Sequence, residues 1–200
     1  MARALKGGTR IIGIDPGLNA TGYGVIECLA EEVRLVEAGV IRLPRSRGDN
    51  LPARLGRLFT DLEEIIGEFE PQAMCLEEVY AHRQYPQTSV LMGHARGVIC
   101  LAARLASIPV VNFSAKRVKQ SVTGNGNASK TQVQRAVQNF FSLDCAPHPP
   151  DVADALAVAL CFIDSRRASA NGWPSRGRGS SRRARLAPAA WDHTKEWAGL

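Results

Sequence analysis

Apolar and polar positions along the chain alternate between two periods. Arg10–Asp15, Gly22–Cys28 and Val33–Leu43 are rich in β-branched residues and are separated by Pro16-Gly17-Leu18-Asn19 and by an acidic turn, which predicts three strands opening a sheet. Leu51, Leu55, Leu58, Phe59, Leu62, Ile65, Ile66 and Phe69 then recur at helical intervals behind a cap at Asp49 or Asn50 and a first-turn Pro52, predicting an amphipathic helix. Ala73–Val79 reads as a short buried strand leading into a polar loop, Tyr80–Gln87. The next helix, Thr88–Ala106, is apolar around much of its circumference and is expected to be buried on two sides, against the sheet and against another subunit. Ile108–Phe113 is a further strand, and Ser114 can cap a short helix carrying Lys116, Arg117 and Lys119. After the loop Thr123-Gly124-Asn125-Gly126-Asn127, Ser129 and Gln132 form a capping-box pattern that opens a helix to Phe141. A last helix starts at Pro150 or Asp151 and runs through Ile163. Strands first and then alternation, β-β-β-α-β-α-β-α-α-α, predict an α/β domain with one mixed sheet covered by helices on both faces.

Composition narrows the class. With 200 residues, of which 45% are hydrophobic and 22% charged, the chain suits one core plus an extension and is neither collagen-like nor broadly disordered. No apolar run reaches the roughly 20 residues of a membrane span, since Val152–Ile163 is interrupted by Asp154. The basic start, Met1 to Gly8, has no apolar signal region, so the cytoplasm is the expected compartment. Cys28, Cys75, Cys100, Cys145 and Cys161 form no C-x-x-C pair and read as reduced thiols, not as a disulfide framework or a zinc site. After Arg167 the composition turns to Ser, Arg, Gly, Ala and Pro, which divides the chain into a flexible N-terminus (1–9), a folded domain (10–167) and a basic tail expected to be disordered (168–200).

The net charge of +6 is unevenly spread. Residues 79–143 hold eight Lys or Arg and no Asp or Glu, an arrangement suited to presenting one electropositive face to a nucleic acid. Against this background three groups of carboxylates stand out. Asp15 ends an apolar strand and precedes Pro16-Gly17, where it either bonds the turn or serves a site. Glu77 and Glu78 end another apolar strand, and successive strand residues point to opposite faces, so one of the two faces solvent and periodicity leaves open which. Asp151 and Asp154, three apart, share one face of a helix; Asp151 suits the helix N-terminus, but Asp154 continues into a run apolar enough to be buried. Carboxylates gathered at strand ends and a helix start repel one another unless hard divalent cations neutralise them, and oxygen ligands favour Mg²⁺ or Mn²⁺. A pair of such ions next to a basic segment suits in-line phosphodiester displacement, hence a nuclease.

Taken in order, these stretches resemble the RuvC Holliday-junction resolvases of the RNase H-like superfamily. The likeness rests on Ile12-Gly13-Ile14-Asp15-Pro16-Gly17 with Thr21-Gly22-Tyr23-Gly24-Val25-Ile26, on Leu76-Glu77-Glu78-Val79-Tyr80, on Gly93-His94-Ala95-Arg96-Gly97, on Val118-Lys119-Gln120 and on Asp151-Val152-Ala153-Asp154-Ala155-Leu156-Ala157. The resemblance implies an RNase H-like fold with a mixed five-stranded sheet. It implies Asp15, Glu77, Asp151 and Asp154 as catalytic and metal-binding carboxylates for two Mg²⁺, with Mn²⁺ able to substitute. It implies Lys119 and Lys130 beside the scissile phosphate and Tyr80 against unstacked bases at a junction centre. Arg83, Lys116 and Arg117 are further candidate DNA contacts. Four-way junction DNA, a homodimer and a RuvA–RuvB-type branch-migration complex are the implied partners. The loop His82-Arg83-Gln84-Tyr85-Pro86-Gln87-Thr88-Ser89 lacks the family's usual Asn-Pro-x-Ser-Ala wording, and His94 stands where Gln is common. A junction-binding module without catalysis, and a phosphate-binding ATPase or sugar-kinase-like domain, are the rival readings.

Overall fold

The computed structural model describes residues 8–29, 32–43, 50–78 and 86–171. Among the described residues five strands form one sheet: β1 (Thr9–Asp15), β2 (Ala20–Leu29), β3 (Glu32–Arg42), β4 (Ala73–Glu77) and β5 (Val110–Phe113). Their order is β3-β2-β1-β4-β5, with β1–β2 and β2–β3 antiparallel and β1–β4 and β4–β5 parallel. The helices among the described residues are α1 (Leu51–Phe69), α2 (Pro86–Leu105), α3 (Ala115–Thr123), α4 (Lys130–Phe141) and α5 (Pro150–Asn171).

The period-2 alternation of the central strands divides the core in two. Ile11, Cys75 and Ile26 join Val118, Val133, Val137, Phe141 and the apolar residues of α5 on one face. Ile12, Ile14, Val25, Met74 and Leu76 join Leu58, Leu62 and Ile66 of α1 and Ala95, Ile99 and Ala103 of α2 on the other. Between Val152 and Ile163 every residue of α5 is buried except Asp154. Such a helix is apolar all round because sheet, α3 and α4 enclose it.

Glycine sets the height of α5 over the sheet. A Cβ on Gly13 would lie 2.1 Å from the Ala155 carbonyl oxygen, one on Gly22 2.2 Å from that of Asp151, and one on Gly24 2.5 Å from a Leu156 methyl. The helix therefore rests on the main chain of β1 and β2 with no side chain between.

Several boundaries differ from the pattern reading, each for a local reason. β2 starts at Ala20 because the buried Thr21 hydroxyl accepts from the Gly17 N–H and donates to its carbonyl, while the Leu43 N–H bonds Asn19. β5 starts at Val110 because Pro109 has no N–H to give the ladder, although its carbonyl accepts from Met74. α2 begins at Pro86 and stops at Leu105, where Ser107 takes a positive φ of 59°. α5 continues to Asn171, past both Ile163 and the expected domain limit at residue 167: Ser165 bonds the Phe162 carbonyl, and the Arg166 guanidinium lies 5.7 Å from the Phe162 ring centre. The caps at Ser114 and Ser129 and the capping box with Gln132 form as the sequence indicates. Cys28, Cys75 and Cys161 are buried, Cys100 is half-buried and Cys145 exposed, and none of the five is joined in a disulfide. The expected flexible start and basic tail fall largely on residues 1–7 and 172–200, outside the described residues, as do Tyr80 and Arg83.

Candidate active site

Because β1 and β4 run parallel and pair directly, their C-terminal ends lie side by side, with Ile14 opposite Leu76. Each ends in an acid. Parity assigns their faces: Ile11 and Gly13 meet the α5 side, so Asp15 does too; Ala73 and Cys75 lie on that same side, so Glu77 follows and Glu78 turns the other way. The choice that the sequence left open is thus made by the position of α5. On β2, Gly22 pairs with Asp15 and at the same time underlies Asp151, which brings the first turn of α5 over the end of β1. Asp154 follows one turn later, half-buried.

The four carboxylates interact. Burial first, then Asp154, Glu77 and Asp151, push the Asp15 carboxyl up to about 7, while Lys130 opposes the shift. Glu77 is raised by burial and then by Asp154, against the lowering effect of Lys119 and Lys130. Lys130, the first residue of α4, places its ammonium 3.1 Å from Asp154 Oδ2, and that bond raises the lysine's own pKa. Lys130 on α4 thus bonds one of the acids, and the charge of Lys119 on α3 reaches Glu77.

The other basic candidates lie differently. The Lys116 stem lies over Gly126, where an added Cβ would meet Lys116 Cγ at 2.8 Å. Arg117 turns toward α5 and pairs with Asp164 at 3.8 Å.

Among the described residues no three His, Cys, Asp or Glu side chains stand gathered for an ion as they are disposed. The donor chemistry nevertheless fits a hard divalent cation. Asp15, Glu77, Asp151 and Asp154 are all oxygen donors, and burial together with the charges of its three acidic neighbours raises the Asp15 carboxyl even with Lys130 present.

Sequence reasoning missed the parts that hold the acids in place. Gly13, Gly22 and Gly24 read as ordinary strand residues until α5 is seen lying on them. Arg54, on α1, is buried; its Nη2 donates to the Leu18 carbonyl (2.6 Å), Asn19 Oδ1 (2.8 Å) and the Leu43 carbonyl (3.2 Å), pinning the turn that follows Asp15. The interruption of an amphipathic helix by an arginine on its apolar side was the available signal.

Comparison with known proteins identifies the family. The family model "Crossover junction endodeoxyribonuclease RuvC" matches residues 11–162. A crossover junction endodeoxyribonuclease RuvC of Rhodopirellula baltica is 49% identical over 151 residues, 76% of this chain and 84% of that protein. One of Halorhodospira halophila is 45% identical over 160 residues, covering 80% and 93%. Among solved structures, T. thermophilus RuvC in complex with a Holliday junction substrate superposes with a TM-score of 0.73 at 33% identity, over 80% of this chain and 96% of that one. The yeast mitochondrial Holliday junction resolvase Ydc2 shares the fold at a TM-score of 0.59 and 14% identity, covering 82% and 81%. With a mixed sheet whose parallel strand ends carry Asp15 and Glu77 beneath the acidic start of α5, this chain belongs to the RuvC family of crossover junction endodeoxyribonucleases.

Proposed function

We propose that this chain resolves four-way DNA junctions by cutting two opposed strands, leaving 5′-phosphate and 3′-hydroxyl ends, with Asp15, Glu77, Asp151 and Asp154 as the metal-holding carboxylates. The observation that carries the reading is the convergence of four mutually repelling acids at one end of the sheet, with the charges of two lysines acting on them. Two Mg²⁺ ions, or Mn²⁺ in their place, are the cations this set would hold, and when bound they supply Lewis acidity toward a phosphodiester.

The chain's own residues do the rest. Lys119 and Lys130 bring positive charge to the acidic end of the sheet, where a phosphate must approach four carboxylates, and Lys130 is exposed enough to exchange Asp154 for a phosphate oxygen. Tyr80, which follows β4 by three residues, offers a stacking surface for an unpaired base, and Arg83 and Lys116 add phosphate contacts. Arg117, held by Asp164, contributes through the field of α3.

A twofold dimer matches a junction's own approximate symmetry. On α2, Val90, Leu101 and Leu105 are 60%, 52% and 65% exposed, and this apolar face is the proposed contact between copies. Val98, on the same helix, is half-buried and packs against the core. A branch-migration complex of the RuvA–RuvB type and a cytoplasmic location complete the proposal. Among the described residues no helix is long and apolar enough to cross a membrane.

The test uses a labelled four-way junction and a linear duplex of the same sequence, with Mg²⁺ or EDTA, beside Asp15→Asn. Symmetric nicking of the junction alone, lost with EDTA and in the variant, supports the proposal. Binding without cutting across several junction sequences in Mg²⁺ and Mn²⁺ would make the chain a binding module and overturn it.

A further inference from the structure

Gly93-His94-Ala95-Arg96-Gly97 belongs to the pattern by which the chain resembles its family, yet nothing in the site so far gives this segment a task. It lies midway along α2, where Ala95 and Ile99 are fully buried on either side of Arg96. From this anchored position the Arg96 side chain crosses to the sheet. Its Nη1 donates to the main-chain carbonyl of Glu77 at 2.7 Å, and its Nη2 donates to Asn112 Oδ1 at 2.6 Å. Asn112 lies on β5 opposite Leu76, so one guanidinium spans two neighbouring strands at the point where β4 ends.

We infer that Arg96 is a positioning residue for Glu77: clamped between the Glu77 carbonyl and Asn112, it fixes the last peptide of β4 and with it the direction in which the Glu77 carboxylate enters the acid cluster. The inference rests on the proposed role of Glu77. A peptide plane at a strand end tilts unless its carbonyl is held, and tilting it turns the adjoining Cα–Cβ bond. Just beyond Glu77 the Glu78 N–H donates to the Phe113 carbonyl at 2.8 Å, so the Arg96 bond to the Glu77 carbonyl and this ladder bond hold the two sides of the strand end.

The chemistry calls for arginine. Two acceptors on separate strands need two nitrogens in a rigid fork, whereas a lysine ammonium would hold one of them from a flexible stem. The effect runs through geometry, since the charges acting on the Glu77 carboxyl are those of Asp154, Lys119 and Lys130, while Arg96 bonds the main chain. Arg96 does for a carboxylate what an outer-shell hydrogen bond does for a metal-binding histidine, fixing its orientation before the ion arrives.

The experiment compares the full chain with Arg96→Met, Arg96→Lys and Asn112→Ala, and with Glu77→Gln as reference. Four quantities are measured: thermal midpoint, junction affinity in EDTA, Mn²⁺ binding without DNA by electron paramagnetic resonance, and single-turnover cleavage against Mg²⁺ concentration. Arg96→Met is expected to bind the junction like the wild type, to bind Mn²⁺ about 10–100-fold more weakly, and to cut slowly with partial recovery at high Mg²⁺. Arg96→Lys falls between the two, and Asn112→Ala, which leaves Arg96 in place, shows a smaller loss of the same kind. Wild-type Mn²⁺ affinity and cleavage in Arg96→Met overturn the inference. So does a parallel loss of melting temperature, junction binding and cleavage in both Arg96→Met and Asn112→Ala, which reduces Arg96 to fold support. Undiminished cutting by Glu77→Gln removes the reading of the site itself and the inference with it, a result independent of the Arg96 variants.

Discussion

Replacing Asp15 with Asn should stabilise the ion-free protein at neutral and alkaline pH while abolishing cleavage. Burial and three neighbouring acids hold the Asp15 carboxyl at about 7, against 3.8 for an unperturbed aspartate. Between those values the folded chain keeps a proton that the unfolded chain has released, so folding stability falls as pH rises through the window. The penalty is absent below pH 4 and complete above pH 7. At 1.36 kcal/mol per pH unit, a rise of about three units has a ceiling of about 4 kcal/mol. For a folded domain of this size each kcal/mol moves the melting temperature by roughly 2–4 °C. In EDTA the Asn variant should therefore melt about 5–15 °C above wild type at pH 8, and the gap should shrink steadily toward pH 4.5. Mg²⁺ at pH 8 should raise the wild type and leave the variant nearly unmoved, narrowing the gap from the other side. Differential scanning fluorimetry across pH, with and without Mg²⁺, reads all of this. A gap that stays the same from pH 5 to pH 8 in EDTA would refute the reasoning, because it would tie the effect of Asn to packing and not to the charge of the cluster.

Three further outcomes follow from particular contacts. Gly22→Ala must lift the start of α5, since the new methyl would sit 2.2 Å from the Asp151 carbonyl oxygen; a loss of about 1–3 kcal/mol by urea denaturation, with cleavage falling further than junction binding, is expected. Arg54→Met strands the Leu18 and Leu43 carbonyls and the Asn19 side chain; the urea midpoint should drop by the equivalent of about 2–3 kcal/mol. Ser129→Ala breaks the capping box beside Lys130; about 1 kcal/mol should be lost, with faster amide exchange in the first turn of α4 and slower cutting.

The order of the elements and the four acids were legible because each carries a local signal: strand alternation, a capping serine, an acid closing an apolar run. Glu77 against Glu78 was not. The run Ala73–Leu76 is buried on both faces, so alternation there has no polar side to read, and the face is defined only once α5 covers one of them. The resemblance to the family pointed to Glu77, and the parity of β4 supplies the physical reason. Arg117 shows the opposite limit: its positive charge was visible, but its pairing with Asp164 depends on a helix 47 residues away in sequence. Glycine gives no local signal at all for what lies above it, which is why the seat of α5 had to be seen.

That seat would govern how the proposed site meets an ion. A side chain in a tight contact can rotate aside, but a carbonyl oxygen resting on an α-carbon has nowhere to go, so the backbone of Asp151 is braced against the strands beneath it. Gathering ligands around an ion then requires only the torsion of short carboxylate arms, because the backbone beneath them has already been ordered by folding. Much of the entropy that a floppy acidic loop would surrender at each binding event has been surrendered here once, when the chain folds.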